Sequence, residues 1–413
     1  MNERTVGGRL AAASDPILGR VARRITLANG SRLKTGRIHV VLPDGARHTF
    51  GDPAVERVAE IHIHDNEAFV RLLLGGATGA GEAYMDGLWS SPDLPLLLEV
   101  AALNRRALSI SAGWWRAPAR LRRSVTHRMR RNTRSQARRN IAAHYDLGND
   151  FYRLFLDETM TYSSAVFESP EQTLADAQRN KYRLMAERAR LSRGQHVLEI
   201  GTGWGGFALY AAGELGCRVT TITVSRAQHE LALERVRAAG LEHLVSVQLQ
   251  DYRETGGSYD AIVSIEMLEA VGAEYLATFF ETCDRLLRPG GRLSLQSITF
   301  PEADYKAQLR GVNWIQQYIF PGGVLPSVGA IERALVRTDL LLTNVTDIAP
   351  SYVRTLQAWR AHFMTQLDAV RAMGFDDRFI RMWEYYLALS EASFSAGLSQ
   401  DLQMVFAKRR AAA

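Results

Sequence analysis

The ten residues Val197-Leu198-Glu199-Ile200-Gly201-Thr202-Gly203-Trp204-Gly205-Gly206 constrain this chain more than any other segment. His196 to Ile200 form an apolar run suited to a buried strand. Gly201, Gly203 and Gly205 then permit a tight turn, because a Cβ opposes both positive φ and close approach to a ligand. Phe207 to Ala212 continue as a helix, whose first N–H groups have no partner within the helix. Gly201, Gly203 and Gly206 also satisfy Gly-x-Gly-x-x-Gly, the pattern of a dinucleotide site. A P-loop is excluded, since no Gly-Lys-Ser/Thr follows. A dinucleotide site further wants a carboxylate about 20 residues on, at the end of the second strand. That place holds Thr221-Ile222-Thr223-Val224-Ser225, with no acid. The acid is Glu199, inside the first strand.

A strand with an internal acid ahead of a glycine loop resembles the S-adenosylmethionine site of class I methyltransferases. The surrounding pattern agrees, because helix and strand alternate from about residue 143 onward. Strands are expected at His196–Ile200, Arg218–Thr223, Val245–Gln250, Tyr259–Glu266, Arg292–Ile298 and Leu402–Lys408. Helices are expected at Thr173–Leu191, Gly205–Leu215, Ala227–Ala238, Tyr275–Leu287, Val353–Met373 and Arg378–Phe394. Such alternation implies an α/β fold, a mostly parallel Rossmann-like sheet with helices on both faces. Ligands of these sheets bind at the carboxyl ends of the strands. Gly201 to Gly206, Thr223 to Gln228, Gln250 to Tyr252 and Glu266 to Glu269 would therefore line one cleft. There Thr223, Ser225 and Gln228 could take the ribose contacts, and Asp251 could reach the adenine.

With 413 residues the chain has room for a second domain. Residues 15–104 are expected to form a smaller α+β unit. His39 to Leu42 and Thr49-Phe50 flank Pro43-Asp44-Gly45, a hairpin signal. Asn66 to Leu74 reads as a helix, and Gly75 to Gly81 as a glycine-rich bend. His62 and His64 share a strand face, but no third ligand is evident nearby, so no metal is expected. Residues 105–142 form a linker, and 143–413 the nucleotide-binding domain. The linker holds twelve arginines between Arg105 and Arg139 and no acid. The whole chain carries a net charge of +6, yet outside that segment 38 basic residues face 44 acidic ones. Trp114 and Trp115 in the same segment suit a membrane interface, where each basic residue is worth about 1 kcal/mol against anionic lipid. A solvated linker is the alternative. No nucleic-acid module accompanies the arginines, so nucleic acid is not expected. No run of about 18 apolar residues is present, and Cys217 and Cys283 suggest no disulfide framework. A cytoplasmic protein, peripherally attached to a membrane, is the expectation.

Further segments carry a closer resemblance. His144-Tyr145-Asp146-Leu147-Gly148-Asn149-Asp150-Phe151-Tyr152 and Met160-Thr161-Tyr162-Ser163-Ser164 precede the glycine turn. Ser264-Ile265-Glu266-Met267-Leu268-Glu269-Ala270-Val271-Gly272 and Tyr318-Ile319-Phe320-Pro321-Gly322-Gly323-Val324-Leu325-Pro326-Ser327 follow it. In this order the set resembles the cyclopropane-fatty-acyl-phospholipid synthase family, to which mycolic acid cyclopropane synthases are related. The resemblance implies transfer of a sulfonium methyl to an acyl double bond, then loss of a proton from that methyl to close a ring. A carbocation of this kind needs a dry aromatic pocket; Trp314, Tyr318, Phe320, Trp359 and Phe363 are candidates for its wall. Carried over position by position, S-adenosylmethionine would meet Tyr162, Ser163, Gly201, Gly203, Thr223, Gln228 and Asp251. A bicarbonate ion, the family's base, would be held by Glu269, Tyr352 and the backbone of Ser164 and Ile298. Glu269, Tyr352, Gln296 and Ser390 would form the catalytic set, with a membrane phospholipid as the partner.

Three departures from the family pattern stand out. Gln296 replaces a histidine and can donate to an anion but cannot carry charge or relay a proton. Ser164 and Ser390 each replace a cysteine. A methyl-branched or methylene product stays open beside the cyclopropane, as does a homodimer. So do a non-lipid small-molecule substrate and a non-catalytic lipid-binding role, of which Gln296 and Ser390 would be signs.

Overall fold

The computed structural model describes residues 16–108, 147–309 and 311–410. The chain divides into two compact units, residues 1–119 and 120–413. Most of the arginine-rich segment, with Trp114 and Trp115, lies outside the described residues, as do His144 to Asp146.

The first unit opens with α1 (Pro16–Gly30) and a sheet of β1 (Arg37–Val41), β2 (Arg47–Gly51), β3 (Ala59–Ile63) and β4 (Trp89–Ser90), ordered β2-β1-β3-β4. The expected hairpin is β1–β2, with Gly45 at φ 81 in its turn. The glycine-rich segment departs from expectation. It does not end a helix but runs within α2 (Glu67–Met85), which kinks at Gly76, φ 61. The kink brings Gly79 so close to the Arg71 carbonyl that a Cβ would overlap it. α3 (Leu94–Leu103) follows, capped by the Asp93 side chain at Leu96 N. The His62 ring pairs with Glu60 and the His64 ring with the Ser90 hydroxyl, so other partners occupy both.

The second unit is built on β5 (His196–Ile200), β6 (Arg218–Thr223), β7 (Val245–Leu249), β8 (Tyr259–Ile265), β9 (Leu287–Thr299), β10 (Leu340–Asp347) and β11 (Gln400–Lys408). Their order is β10-β11-β9-β8-β5-β6-β7. Pairing is parallel from β9 through β8, β5 and β6 to β7, and antiparallel where β11 joins β9 and β10. Successive strand residues face opposite sides, so the sheet carries two cores. Leu198, Ile262, Leu293, Leu295 and Met404 pack with Phe279, Phe280 and Ile331 on one side. Val197, Val219, Ala261 and Val263 pack with Met185, Phe207, Ala211 and Val236 on the other.

α4 (Asn149–Arg153) and α5 (Leu174–Ala189) precede β5, and the crossovers are α6 (Gly206–Gly213), α7 (Arg226–Ala238) and α8 (Leu276–Leu286). Thr173 caps α5 through Asp176 N, and Ser225 caps α7 through Gln228 N. After β9 come α9 (Glu302–Gln308), α10 (Trp314–Tyr318) and α11 (Val328–Ala334), then α12 (Ala349–Thr365), α13 (Leu367–Ala372) and α14 (Asp377–Ser395). Two boundaries differ from expectation. Leu287 to Gly291 is not a turn but the start of β9, which pairs Leu287 with Tyr259 across a bulge. The helix expected from Val353 breaks at Gln366, φ −109 and ψ 15, between α12 and α13. Strand β10 was not expected at all; it lies at the sheet edge and is mostly exposed. Among the described residues no helix is long and apolar enough to cross a membrane.

Candidate functional site

Because β5, β6, β7, β8 and β9 run parallel, their carboxyl ends share one edge of the sheet. The glycine turn after β5 lies where the strand order reverses, with β6 on one side and β8 on the other. Gly201, Gly203 and Gly205 have φ of 99, 52 and 87. Gly206 is fixed differently, because a Cβ there would overlap the Tyr182 hydroxyl. Half-buried Arg235 donates to the carbonyls of Trp204 (2.7 Å) and Thr159 (3.1 Å), tying the turn to the Thr159–Ser164 segment.

A cavity of about 360 Å³ opens at this edge, in the size range of small-molecule sites. Tyr162, Ser163, Gly201, Gly203, Thr223, Gln228 and Asp251, the residues expected to meet the methyl donor, all line it. The Thr223 hydroxyl donates to Gln228 Oε1 at 2.8 Å, which leaves the Gln228 amide N–H groups for a ligand. Asp251 is more committed than expected. Arg253 clasps both its oxygens, Nε to Oδ1 at 2.8 Å and Nη2 to Oδ2 at 2.6 Å. Glu199 accepts from the Thr221 hydroxyl at 2.5 Å, and burial pushes its carboxyl up to about 8.

The cavity wall is also aromatic and acidic. Tyr162, Phe300, Phe320, Tyr352, Tyr386 and Phe394 are in its wall. Of the five aromatic residues expected there, Phe320 lines the cavity. Trp359 stands behind Tyr162, ring centroids 5.2 Å apart, and Phe363 packs with Phe151 and Phe155. Trp314 instead packs edge-on against Tyr385 and at a tilt against Tyr318. Ser390 lines the cavity from α14 but takes no part in the hydrogen bonds around its carboxyl groups.

Those bonds differ from the expected anion site. Ser164 N donates to Glu266 Oε1 at 2.8 Å, and Gln296 Nε2 donates to the same atom at 2.8 Å. The Tyr352 hydroxyl donates to Glu266 Oε2 at 2.8 Å. Ile298 N (2.5 Å) and the Ser297 hydroxyl (3.0 Å) donate to Glu269 Oε1. Every donor expected to hold bicarbonate is thus bonded to a protein carboxyl, and the residues present do not fit a separate anion. Burial, and then the charge of Glu266, pushes Glu269 up to about 8. Asp401, bonded to Gln296 Nε2 at 3.2 Å, is also held well above the usual carboxylate range by burial and then by Glu266. Gln403 donates to Gln296 Oε1 at 2.8 Å and so fixes which end of that amide faces the acids. Lys181 is fully buried, donates to Ser163 Oγ at 2.6 Å, and is pushed down to about 8 by burial.

Sequence reasoning placed Glu266 in the cleft without giving it a role, and passed over Lys181, Asp401 and Gln403. Lys181 carried a signal, since it falls in the inward stripe of α5 with Ala177, Met185 and Ala189. Glu266 carried a fainter one, an acid three residues from another acid at a strand end.

The profile of the mycolic acid cyclopropane synthetase family matches residues 132–404. The chain belongs to this family. It is 42% identical over 403 residues to a tuberculostearic acid methyltransferase of Mycobacterium tuberculosis, covering 94% of this chain and 90% of that one. It is 34% identical to the cyclopropane-fatty-acyl-phospholipid synthase of Escherichia coli, covering 85% of this chain and 88% of the relative. A mycolic acid cyclopropane synthase solved with SAH and CTAB superposes with a TM-score of 0.62 at 30% identity, over 66% of this chain and 98% of that one. This member of the family is an S-adenosylmethionine-dependent methyltransferase with a class I fold, and its relatives are lipid-modifying enzymes.

Two outcomes check the site. Gly206→Ala forces a Cβ against Tyr182 and should cost about 1–3 kcal/mol of stability. Adding Tyr182→Phe, which removes the struck oxygen, should return part of the loss in urea melts. Protonated Glu199 and Glu269 stabilise the fold fully below about pH 4.5, and that stability is lost as pH rises through about 8. Urea midpoints should therefore fall between pH 5 and 8, less steeply in Glu199→Gln.

Proposed function

We propose that this enzyme adds the methyl carbon of S-adenosylmethionine to the double bond of an unsaturated acyl chain in a membrane phospholipid, and that a cyclopropane is formed. The observation that carries this reading is one cavity lined both by a glycine turn and by an aromatic wall with carboxyl groups. Bound S-adenosylmethionine supplies an electrophilic methyl group. The chain's own residues do the rest. The glycine turn, Thr223 and Gln228 hold the donor. Tyr162, Phe300, Phe320, Tyr386 and Phe394 exclude water and offer ring faces to a cation, which such faces stabilise by about 0.5–2 kcal/mol each. The carboxyl cluster accepts the proton that must leave.

The membrane partner is supported by the twelve arginines between Arg105 and Arg139 and by relatives named for lipid substrates. Product identity follows from where the electron pair of the lost C–H goes. Directed at the neighbouring cationic carbon, it closes a ring. If a hydride first shifts from the methyl-bearing carbon, the same proton loss leaves a methylene group. A saturated methyl branch would need an added hydride, which this proton-accepting site does not supply.

Expression in a host lacking such an activity, followed by proton NMR of the extracted fatty acids, decides among these. Cyclopropane signals far upfield are expected. Signals in the alkene region would assign a methylene product instead, and unaltered lipids would sink the proposal.

A further inference from the structure

We propose that Glu266 is a resident carboxylate that stands in the place of an exchangeable anion and itself accepts the proton lost from the added methyl group. This inference rests on the function proposed above. It is carried by the convergence on one side chain of three donors from distant parts of the chain. Ser164 N, Gln296 Nε2 and the Tyr352 hydroxyl each reach a Glu266 oxygen at 2.8 Å. These are the donors an anion would need, and three of them satisfy one carboxylate.

Two further observations support the assignment. Glu266 has φ 48, one of three non-glycine residues among those described with positive φ. The strain of that left-handed conformation is characteristic of functional positions, and here it turns the side chain of a strand-end residue into the cluster. Glu266 also lines the cavity, on the same wall as Tyr352 and Phe394. The neighbouring acids are differently placed. Glu269 Oε1 is bonded to Ile298 N and Ser297, and Asp401 lies behind the Gln296 amide. Burial and the charge of Glu266 shift both of these toward the protonated form.

The step balances without another reactant. The alkene π pair forms the new C–C bond as the C–S bond breaks, its electrons staying on sulfur. A proton then passes from the methyl carbon to a Glu266 oxygen, and the C–H pair closes the ring. As the methyl C–H pair leans toward the cationic carbon two bonds away, in the manner of a protonated cyclopropane, its proton becomes very acidic, so a weak base suffices. Gln296 and Gln403 act as positioning residues, holding an amide N–H on the base where a histidine would titrate.

The test uses the full chain with two variants. Glu266→Gln keeps the shape but cannot accept the proton, and should lower turnover on unsaturated phospholipid vesicles about 100-fold or more, with S-adenosylhomocysteine affinity unchanged. Glu266→Gly suits the positive φ and vacates the site. Added formate or bicarbonate should then restore turnover in Glu266→Gly and leave the wild type unaffected. A binding arm is independent of the lipid: ¹³C-bicarbonate, followed by NMR with S-adenosylhomocysteine present, should bind Glu266→Gly and not the wild type. Equal bicarbonate binding to both, or near-full activity in Glu266→Gln, would overturn the proposal. Absence of product from the wild type on every lipid would instead refute the proposed function, while the binding arm still decides whether Glu266 fills the anion site.

Discussion

A carboxylate placed in an apolar wall has to be met by donors, because an unpaired buried charge is among the most costly features a fold can contain. Glu266 is met by three, and supplying them draws four separated regions together. The Ser164 segment, the β8 end, the middle of β9 and the start of α12 must all be in register for the bonds to form. The same requirement organises the next layer. Gln296 can face the acids only if its other end is held, and Gln403 on β11 holds it. The antiparallel addition of β11 to β9 thus has a chemical consequence as well as a structural one, since it brings Gln403 and Asp401 against Gln296 and Ile298. Lys181, buried on α5, adds a positive charge that offsets the acids without bonding to them directly.

The cavity wall divides its work. At the glycine turn the backbone does the shaping, with positive φ at Gly201, Gly203 and Gly205 and a hydroxyl packed where a Gly206 side chain would be. Elsewhere in the wall side chains do it, with rings from the loop after β9 and from α12 and α14. A reaction passing through a carbocation needs both. One holds a reagent in a fixed orientation, and the other keeps water from the cation while a fixed carboxylate takes its proton.

Much of the sheet was legible because its strands are short apolar runs bounded by glycine and proline. The five strands read between His196 and Ile298 all form, four of them to within a residue or so. The glycine turn and the residues at the strand ends were legible for the same reason, since parallel topology forces them to one edge. Strand β10 was hidden because it lies at an exposed edge and shows little apolar alternation. The glycine run at Gly75 to Gly81 misled in the other direction. Glycine there permits close approach within a kinked helix rather than ending it. Glu266 was expected in the cleft, but its role was hidden for a conformational reason. Its place in the site depends on a left-handed backbone angle and on partners 102, 30 and 86 residues away, none of which a local pattern encodes. The carboxyl expected at the centre of the site, Glu269, is in its wall and takes Ile298 N, but the other donors expected to serve an external ion, Ser164 N and the Tyr352 hydroxyl, serve Glu266.

The most direct measurement is the dependence of wild-type turnover on bicarbonate, in carbon-dioxide-free buffer at fixed pH and ionic strength with unsaturated phospholipid vesicles. Turnover that stays constant as bicarbonate is removed and restored is the expected result. Turnover that collapses on removal and recovers on addition would contradict a resident carboxylate at Glu266.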